Sequence, residues 1–499
     1  MSHAVPAATV PVTIGALIGG ETVLPDGPRL LVLNPATEAP LSELAEADAA
    51  MVDRAVMAAR ASFEGGAWSR LGATERADGL MRIHATLSRH ADELAWLECT
   101  DTGIPLAQVT GRHVARAIHN FRFFAEYITQ SANKAYAQDS GHLTLVTRAP
   151  VGVAALLAPW NAPLALASMK VASALAFGNS AVLKPSETTP LAVTRMVELI
   201  QEAGLPPGVL NLVHGRGPVT GEALVRHAEV DLVSFTGGTV TGRRIMVAAA
   251  ERLKPATLEL GGKSANIVFA DSDLERALDA ALLGIFSNNG QQCLAGSRIL
   301  VQRPIAEEFM ARFAERAARV RVGDPFDPAT EVGPMVSAEH AARVLSHVHT
   351  AAADGCRLLA GGGRPQGLER GFYVSPTAVL APGNGVRACR EEIFGPFATF
   401  LVFDTAEEAF RLANDSEFGL AAYVWSESLE VAMRAQEMLR AGTVWINTPM
   451  ARDLRAPFGG FKDSGVGREG GEACERFYTE ERTVMIGRSR GPLPRLGTG

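Results

Sequence analysis

Residues 151–184 decide the fold class, and they read VGVAALLAPWNAPLALASMKVASALAFGNSAVLK. The apolar runs at 151–157 and 180–184 have the length of buried strands, and residues 163–177 between them have the length of a helix. A strand, a helix and a second strand in this order are the unit from which parallel sheets are built. The stretch therefore predicts a parallel sheet.

The same alternation continues toward the C-terminus. Further helices are predicted at 190–203, 217–227, 241–250 and 274–286, and further strands at 209–213, 231–235, 265–269 and 297–301. A second alternating region thus begins near residue 265 and runs to about residue 446. We predict an α/β protein with two doubly wound parallel-sheet domains, which bind ligands at the carboxyl ends of their strands.

The N-terminal third has a different pattern. Residues 1–40 are rich in proline and are expected to be irregular, with a short hairpin at Gly19-Gly20. Helical spacing of apolar residues predicts helices at 45–63, 74–101 and 107–136, all before the first buried strand. Strands are predicted at 143–148 and 482–487, and the second needs an edge to pair with, either the first or a neighbouring subunit.

Composition excludes several classes of protein. A chain of 499 residues is too long for one core, and its apolar (47%) and charged (20%) fractions are ordinary for a globular protein. The net charge of −7 argues against nucleic-acid or anionic-membrane partners. Five widely spaced cysteines without a CxxC pair predict neither disulfides nor a metal site, and they suit the cytoplasm. The most apolar segment is interrupted by Pro159 and Pro163, which predicts a strand and a helix, not a membrane span.

Cys293 stands in the amide-rich loop SNNGQQCLAGS (287–297), between a helix and a strand. Loops held by a rigid scaffold commonly carry nucleophiles, whereas a free cysteine is often only a small buried apolar residue. Asn161 follows the first strand, where it could hold an oxyanion or begin the next helix as an Asx-turn. Glu259 ends a strand-like segment and is either a base of raised pKa or an exposed charge.

Four further motifs are compatible with a nucleotide and an anion. Lys184 and Glu187 could hold a ribose or form a solvated ion pair, and a carboxylate there favours NAD over NADP because it repels a 2′-phosphate. The glycine-rich FTGGTVTG (235–242) could bind phosphate at a helix N-terminus or be a plain turn. Glu392 and Phe394 lie two residues apart, on one side if the chain is extended. Arg452 and Arg455 could clamp a carboxylate or pair with Asp453.

Together and in this order, the motifs resemble the aldehyde dehydrogenase superfamily over nearly the whole chain. The motifs are PWN (159–161), KPSE (184–187), FTGGTVTG (235–242), ELGGKS (259–264), GQQC (290–293), EEIFGP (391–396) and PFGGFKDSGVGRE (457–469). The resemblance implies an NAD-binding domain of atypical Rossmann type (1–131 and 151–260), a catalytic domain (261–477) and an oligomerisation arm (132–150 and 478–499). It also implies a homodimer or homotetramer.

The resemblance implies a role for each matching residue. Cys293 attacks the aldehyde, Asn161 and the Cys293 N–H hold the oxyanion, Glu259 activates water against the thioester, and Glu469 assists proton handling. Positions matching cofactor contacts are Trp160, Lys184, Glu187, Gly237, Gly238, Gly242, Leu260, Glu392 and Phe394.

The segments VARAIHNF (114–121), RDLRAPFGG (452–460) and REGG (468–471) resemble the 2-hydroxymuconate and 5-carboxymethyl-2-hydroxymuconate semialdehyde dehydrogenases. That subgroup implies a carboxylated semialdehyde from aromatic catabolism as substrate. Arg116, Arg452 and Arg455 would bind its carboxylates, beside Phe458 and Gln292 at the substrate mouth. The alternatives are a general or betaine-type aldehyde dehydrogenase, a coenzyme A-acylating one, and a non-catalytic protein of the same fold.

Overall fold

The structure is a computed structural model that describes residues 10–488, 493 and 495–497. Of the predicted arm segment 478–499, residues 489–492, 494, 498 and 499 therefore lie outside the described residues. Within the described ranges, no helix is both long enough and apolar enough to cross a membrane.

The first large sheet contains the strands that the alternation predicts. Its order is Gly465–Val466, Ala256–Glu259, Leu232–Thr236, Val153–Leu157, Ser180–Lys184, Leu210–Leu212, Ala16–Ile18 and Glu21–Val23. The five strands from Ala256–Glu259 to Leu210–Leu212 are parallel, which confirms the predicted sheet. Antiparallel strands extend it at both edges.

Apolar side chains bury both faces of this sheet. Along Val153–Leu157, Ala154 and Leu156 pack in one core cluster, whereas Val153, Ala155 and Leu157 pack in another. This alternation is the two-residue period of a strand. It makes a continuous apolar run the expected sequence for a strand that helices cover on both sides.

The second large sheet has the order Arg357–Ala360, Thr377–Leu380, Phe397–Phe403, Arg298–Gln302, Ala265–Val268, Ala421–Trp425 and Thr443–Ile446. All its neighbours are parallel except the edge strand Arg357–Ala360. Both sheets are thus α/β sheets of the predicted class.

Helices connect the strands and cover the sheets. They are Ala49–Gly65, Ala73–Arg89, Ala91–Thr102, Leu106–Gln108, Ala115–Ile128, Pro163–Ala176, Leu191–Glu202, Glu222–Arg226, Thr239–Ala250, Leu274–Phe286, Arg303–Arg319, Ala338–Ala353, Arg387–Arg390, Ala406–Asn414, Leu429–Met438 and Gly471–Tyr478. Two π-helical segments, Val109–Val114 and Gly217–Gly221, precede Ala115–Ile128 and Glu222–Arg226.

Three smaller sheets complete the fold. Thr479–Gly487, His142–Pro150 and Lys134–Ala137 form an antiparallel sheet, so the terminal strand pairs with the predicted strand of its own chain. Thr13–Ile14, Pro40–Ala45 and Arg29–Leu33 form another, and Phe418–Gly419 pairs with Phe461–Lys462.

Three expectations about the N-terminal third are wrong. The helix predicted at 74–101 is broken at His90, whose side chain instead contacts Glu93 at 2.6 Å, and the helix predicted at 107–136 ends at Ile128. Residues 134–137 then form a strand, because they pair with His142–Pro150. The described residues 10–40 are not irregular throughout, since Ala16–Ile18 is a buried strand, joined to Glu21–Val23 by the predicted Gly19-Gly20 hairpin, and residues 1–9 lie outside the described residues.

Candidate active site

A cavity of about 410 Å³ brings together the four predicted catalytic residues Cys293, Asn161, Glu259 and Glu469. Asn161 follows the strand Val153–Leu157, and Glu259 ends its own strand, so both stand at the carboxyl edge of the first sheet. Cys293 approaches from the loop before Arg298–Gln302 of the second sheet. The cavity therefore lies where the two sheets meet.

The amides around Cys293 anchor its loop to the rest of the chain. Asn289 donates to the carbonyls of Gly103 (3.0 Å) and Pro334 (2.9 Å), and Gln291 Oε1 accepts from the Val336 N–H at 2.9 Å. Asn288 and Asn289 adopt left-handed conformations, with φ of 56° and 57°. The loop thus presents the Cys293 thiol from a fixed, strained turn.

Asn161 is tied to the cysteine loop and does not form an Asx-turn. Its Nδ2 donates to the Gln291 carbonyl at 2.9 Å, and its own carbonyl accepts from Asn288 Nδ2 at 2.8 Å. The following helix, which begins at Pro163, has no side-chain cap. One of the two Nδ2 hydrogens of Asn161 therefore holds it beside Cys293, and the other remains for a ligand.

The Cys293 thiol is protonated in this environment. Burial, with a contribution from Glu392 and Glu259, raises its pKa to about 12, although Arg452 and Arg116 act in the opposite direction. The other four cysteines are also free thiols, and none of them lines the cavity. Cys293 is distinguished from them by this access to the cavity.

Glu259 is a buried carboxyl without a protein partner. It is 5% exposed, and neither of its oxygens has a hydrogen-bond partner among the described residues. Burial raises its pKa well above the usual value, and the neighbouring Glu469 adds to this effect. The exposed-charge alternative is therefore excluded, and the carboxyl is suited to accept a proton at neutral pH.

Glu469 is held in the charged form by Lys170. Lys170 Nζ donates to Glu469 Oε1 at 2.9 Å and to Ser234 Oγ at 2.9 Å. Burial would raise the pKa of Glu469, but Lys170, Arg452 and Arg116 lower it below the usual value. The two glutamates of the cavity thus differ in proton affinity, because Lys170 donates a hydrogen bond to Glu469 and the described residues provide none to Glu259.

Predicted cofactor residues stand at the carboxyl edge of the first sheet. Lys184 ends the strand Ser180–Lys184, and its Nζ lies 3.4 Å from Glu187 Oε2 and donates to the Pro185 carbonyl. Gly238 caps the helix Thr239–Ala250, whose first N–H groups are therefore free for phosphate oxygens. A Cβ on Gly242 would lie 2.5 Å from Leu260, so glycine allows this helix to approach the strand-end loop. Gly237 donates its N–H to the Glu259 carbonyl at 3.0 Å.

The segment of Glu392 and Phe394 turns at Phe394, so the condition under which the two side chains would share one side, an extended chain, does not hold. Phe394 has a φ of 60°, and its carbonyl oxygen lies 2.7 Å from His340 Nε2, at hydrogen-bond distance. Trp160 packs edge-on against the Phe394 ring at 5.3 Å, and Glu392 Oε1 accepts the Gly262 N–H at 2.9 Å. The turn brings both side chains to the loops that carry Asn161 and Glu259.

Two of the three predicted substrate arginines line the cavity. Burial and the neighbouring Arg452 together lower the pKa of Arg116 to about 9. The buried Nε and Nη2 of Arg116 have no hydrogen-bond partner among the described residues, and the Arg452 guanidinium lies 4.0 Å above the Phe458 ring. Two positive groups are thus available to an anionic ligand within the cavity.

Arg455 lies outside this cavity. Its guanidinium is bound to Asp453 at 2.6 Å, and its side chain is 81% exposed. The structure therefore matches the surface-pair alternative and does not place Arg455 beside Cys293. Gln292 does line the cavity, but its Nε2 is bound to the Gly284 carbonyl and Ser287 Oγ, both at 3.1 Å.

Sequence reasoning missed two charged residues of the site, Lys170 and Arg112. Lys170 is fully buried in the apolar helix Pro163–Ala176, and a single lysine in such a helix is a signal that it has an acidic partner. Arg112 lines the cavity from the π-helical segment Val109–Val114. No pattern in the sequence marks that segment as part of the site.

Comparison with known proteins gives a consistent result. The model of the aldehyde dehydrogenase family matches residues 23–484. The chain is 46% identical over 446 residues to 5-carboxymethyl-2-hydroxymuconate semialdehyde dehydrogenase of Escherichia coli, covering 88% of this chain and 94% of that one. It is 41% identical over 480 residues to 2-hydroxymuconic semialdehyde dehydrogenase of Pseudomonas sp. (strain CF600), with coverages of 95% and 98%.

Solved structures agree with this similarity. An NAD+ complex of aldehyde dehydrogenase from Bacillus cereus superposes with a TM-score of 0.94 at 40% identity, covering 96% of this chain and 98% of that chain.

Proposed function

This chain belongs to the aldehyde dehydrogenase family, and from that premise we propose that it oxidises a carboxylated semialdehyde to the acid with NAD, through a covalent bond to Cys293. One observation carries the proposal. Cys293, Asn161 and Glu259 line the same cavity as Arg116, whose buried guanidinium nitrogens lack partners. The cavity thus combines a nucleophile, an oxyanion donor and a base with a cationic group for a carboxylate.

The residues present fit NAD. A pyrophosphate would bind at the N-terminus of Thr239–Ala250, which Gly238 caps and Gly242 holds close to Leu260, while Lys184 and Glu187 would hold the adenosine ribose. Glu392 and Phe394 would hold the nicotinamide end, beside Trp160 and Leu260. NAD, when bound, accepts the hydride that the former aldehyde carbon gives up.

The first covalent step is addition of the Cys293 sulfur to the aldehyde carbon. The carbonyl oxygen becomes an oxyanion, which the free Nδ2 hydrogen of Asn161 and the Cys293 backbone N–H stabilise. Within the described part of the chain, that backbone N–H has no other acceptor. Because the thiol pKa is about 12 in this environment, the thiol proton passes to a base as the carbon–sulfur bond forms, and the ionised Glu259 carboxylate in the same cavity can accept it and release it to water before the hydrolysis.

The second step is hydrolysis of the thioester. Glu259 has no hydrogen-bond partner in the protein, so a water molecule can bind to it without competition. Its raised pKa makes it a stronger proton acceptor than an exposed glutamate. Water adds to the thioester carbon as one of its protons passes to Glu259. The carbon–sulfur bond then breaks, which releases the acid and leaves the electron pair of that bond on the Cys293 sulfur. Glu469, which Lys170 keeps ionised, stabilises by its negative charge a proton that is being transferred nearby.

The relatives and the arginines support a carboxylated substrate. Both curated relatives described above are named as dehydrogenases of muconic semialdehydes, which carry carboxylates. Arg116 and Arg452 provide the matching positive charges in the cavity. A charge-assisted hydrogen bond to either one would bind the carboxylate while the aldehyde faces Cys293.

NADH formation across a panel of neutral, aromatic and carboxylated aldehydes tests this function. We expect the highest kcat/KM with a carboxylated semialdehyde, no requirement for coenzyme A, and loss of turnover in Cys293→Ala. A preference for neutral or trimethylammonium aldehydes would support the general or betaine-type alternative. NAD binding without any turnover would support the non-catalytic alternative.

The assembly and compartment are part of the proposal. The edge strand Lys134–Ala137 is exposed along its whole length, which favours pairing with another subunit as a homodimer or homotetramer. Light scattering of the purified protein tests it. The five unpaired cysteines support a reducing, cytoplasmic environment.

A further inference from the structure

A second cavity, of about 660 Å³, adjoins the one that contains Cys293. The two cavities share Arg112, Arg116 and Arg452, so these arginines stand between them. We call this second space the outer cavity. Its other lining residues include His119, Phe123, Asp453 and Arg455.

The outer cavity is rich in positive charge. Four arginines line it, and Asp453 is the single carboxylate among its lining residues. Asp453 is already neutralised by Arg455 at 2.6 Å. Arginines therefore outnumber carboxylates in the outer cavity, although the whole chain carries a net charge of −7, and Arg116 and Arg452 also interact with Glu469 on the side of Cys293.

Arg112 is the arginine that has no other evident task. It is exposed and lines both cavities, and it forms no ion pair or side-chain hydrogen bond with the described residues. Partial burial alone lowers its pKa. Arg116, by contrast, has its free guanidinium nitrogens buried, and Arg452 is stacked on Phe458.

We propose that the outer cavity is the entrance for anionic substrates and that Arg112 captures their carboxylate before Arg116 and Arg452 bind it. This inference rests on the proposed function, since it concerns how the same substrate class reaches the same site. Surface charges act over about 8–10 Å at physiological ionic strength, so the local arginines outweigh the distant acidic surface. A cleft lined by one sign of charge raises the association rate of the opposite sign.

The test compares kcat/KM for an anionic and a neutral aldehyde at low and high salt. Succinic semialdehyde and pentanal are suitable probes because they have similar length and differ in the carboxylate. For the wild-type protein, we expect kcat/KM with succinic semialdehyde to fall roughly tenfold between about 20 and 500 mM NaCl. With pentanal it should change by less than about twofold.

Arg112→Gln should lower kcat/KM for succinic semialdehyde about threefold to tenfold at low salt, mainly through KM, and weaken its salt dependence. Because pentanal has no carboxylate, its kcat/KM should fall by less than about twofold in this variant, and an unchanged Tm shows that the variant is folded. Arg122→Gln is the matched control, because Arg122 lies on the adjoining helix Ala115–Ile128, is exposed, and pairs with Glu126 outside both cavities.

Two results would contradict the proposal that the outer cavity is the entrance for anionic substrates. Wild-type kinetics in Arg112→Gln, or an equal loss in Arg122→Gln, would show that the outer cavity does not guide anions. Failure of the proposed function looks different: the wild-type protein would then use pentanal as well as any carboxylated aldehyde at low salt.

Discussion

Lys170 Nζ donates a hydrogen bond of 2.9 Å to Glu469 Oε1, and both side chains are buried. Glu259, the other carboxyl of the cavity, has no such partner. Lys170, together with Arg452 and Arg116, therefore lowers the pKa of Glu469, whereas burial raises the pKa of the neighbouring Glu259.

Removal of Lys170 should destabilise the protein strongly. Lys170→Met leaves the charge of Glu469 buried and unpaired, which costs about 3–5 kcal/mol of unfolding free energy. Urea unfolding, or the shift in Tm if unfolding is irreversible, measures this cost. The double variant Lys170→Met/Glu469→Gln should recover part of it, and a double variant no more stable than Lys170→Met would contradict the pairing.

Activity should depend on the ionisation of Glu259. The pKa of this carboxyl is raised above 4.5, and only the ionised form accepts a proton from water. As pH falls through the raised pKa, Glu259 becomes protonated and kcat falls, so activity should rise with pH on the acid side. Rates measured from about pH 5 to pH 9 should show this limb in the wild-type protein.

Glu259→Gln separates this effect from other titrations. Because the amide cannot accept the proton, we expect one burst of NADH followed by slow turnover, with the acid limb lost. An unchanged limb in this variant would assign it to another group.

Replacement of Arg116 and replacement of Arg455 should have different effects on kcat/KM, although the sequence predicts both as ligands of a substrate carboxylate. Arg116→Ala removes a charged hydrogen-bond partner worth about 1.5–3 kcal/mol, so kcat/KM for a carboxylated semialdehyde should fall roughly tenfold to hundredfold. Pentanal should be affected far less. Arg455→Ala removes only an exposed pair with Asp453, so we expect less than about a threefold change. Equal losses in both variants would argue against the placement of Arg116.

Gly290 should be intolerant of any side chain. Its φ is +72°, and a Cβ would lie 2.2 Å from the Gly395 carbonyl carbon. Gly290→Ala should therefore displace the Cys293 loop and cost at least about 2 kcal/mol, together with most of the activity. Gly363→Ala is the control, because a Cβ there meets nothing within 4 Å. Thermal unfolding and NADH formation are measured for both.

Glu187 should determine the preference for NAD. Its carboxylate lies 3.4 Å from Lys184 Nζ at the expected ribose position, where it would repel a 2′-phosphate. Glu187→Ser should lower the KM for NADP about tenfold or more while raising that for NAD. An unchanged ratio of the two KM values would show that residues other than Glu187 discriminate between NAD and NADP.

The sequence predicts local structure well where burial is uniform. The strand Ser180–Lys184 and the helix Leu274–Phe286 have the predicted bounds, since their apolar runs end at polar or turn-forming residues. The break at His90 is not predicted, because the apolar spacing continues across this residue while its backbone leaves the helical conformation. The strand Lys134–Ala137 is not predicted, because its pattern continues that of the preceding helix, whereas the structure pairs it with the nearby residues Leu143–Val146 as a hairpin.

The same limit applies to the site. Motifs predict which residues stand at strand ends, so Asn161, Glu259 and Lys184 were found. Which of two arginines enters a cavity depends on packing that no local pattern contains, so Arg116 and Arg455 could not be told apart. Similarly, the amides before Cys293 look like part of a substrate mouth, but Gln291 is 1% exposed and instead binds the Val336 N–H.

Because Val109–Val114 is π-helical, substrate recognition depends on how many residues this segment contains as well as on which residues they are. A π turn contains one residue more than an α turn, so it rotates everything after it by about 100° relative to a regular helix. Loss of a single residue here would restore a regular helix and turn Arg116 away from Cys293 without changing either side chain. Relatives that differ in length at this turn would then differ in substrate, even with all their catalytic residues retained.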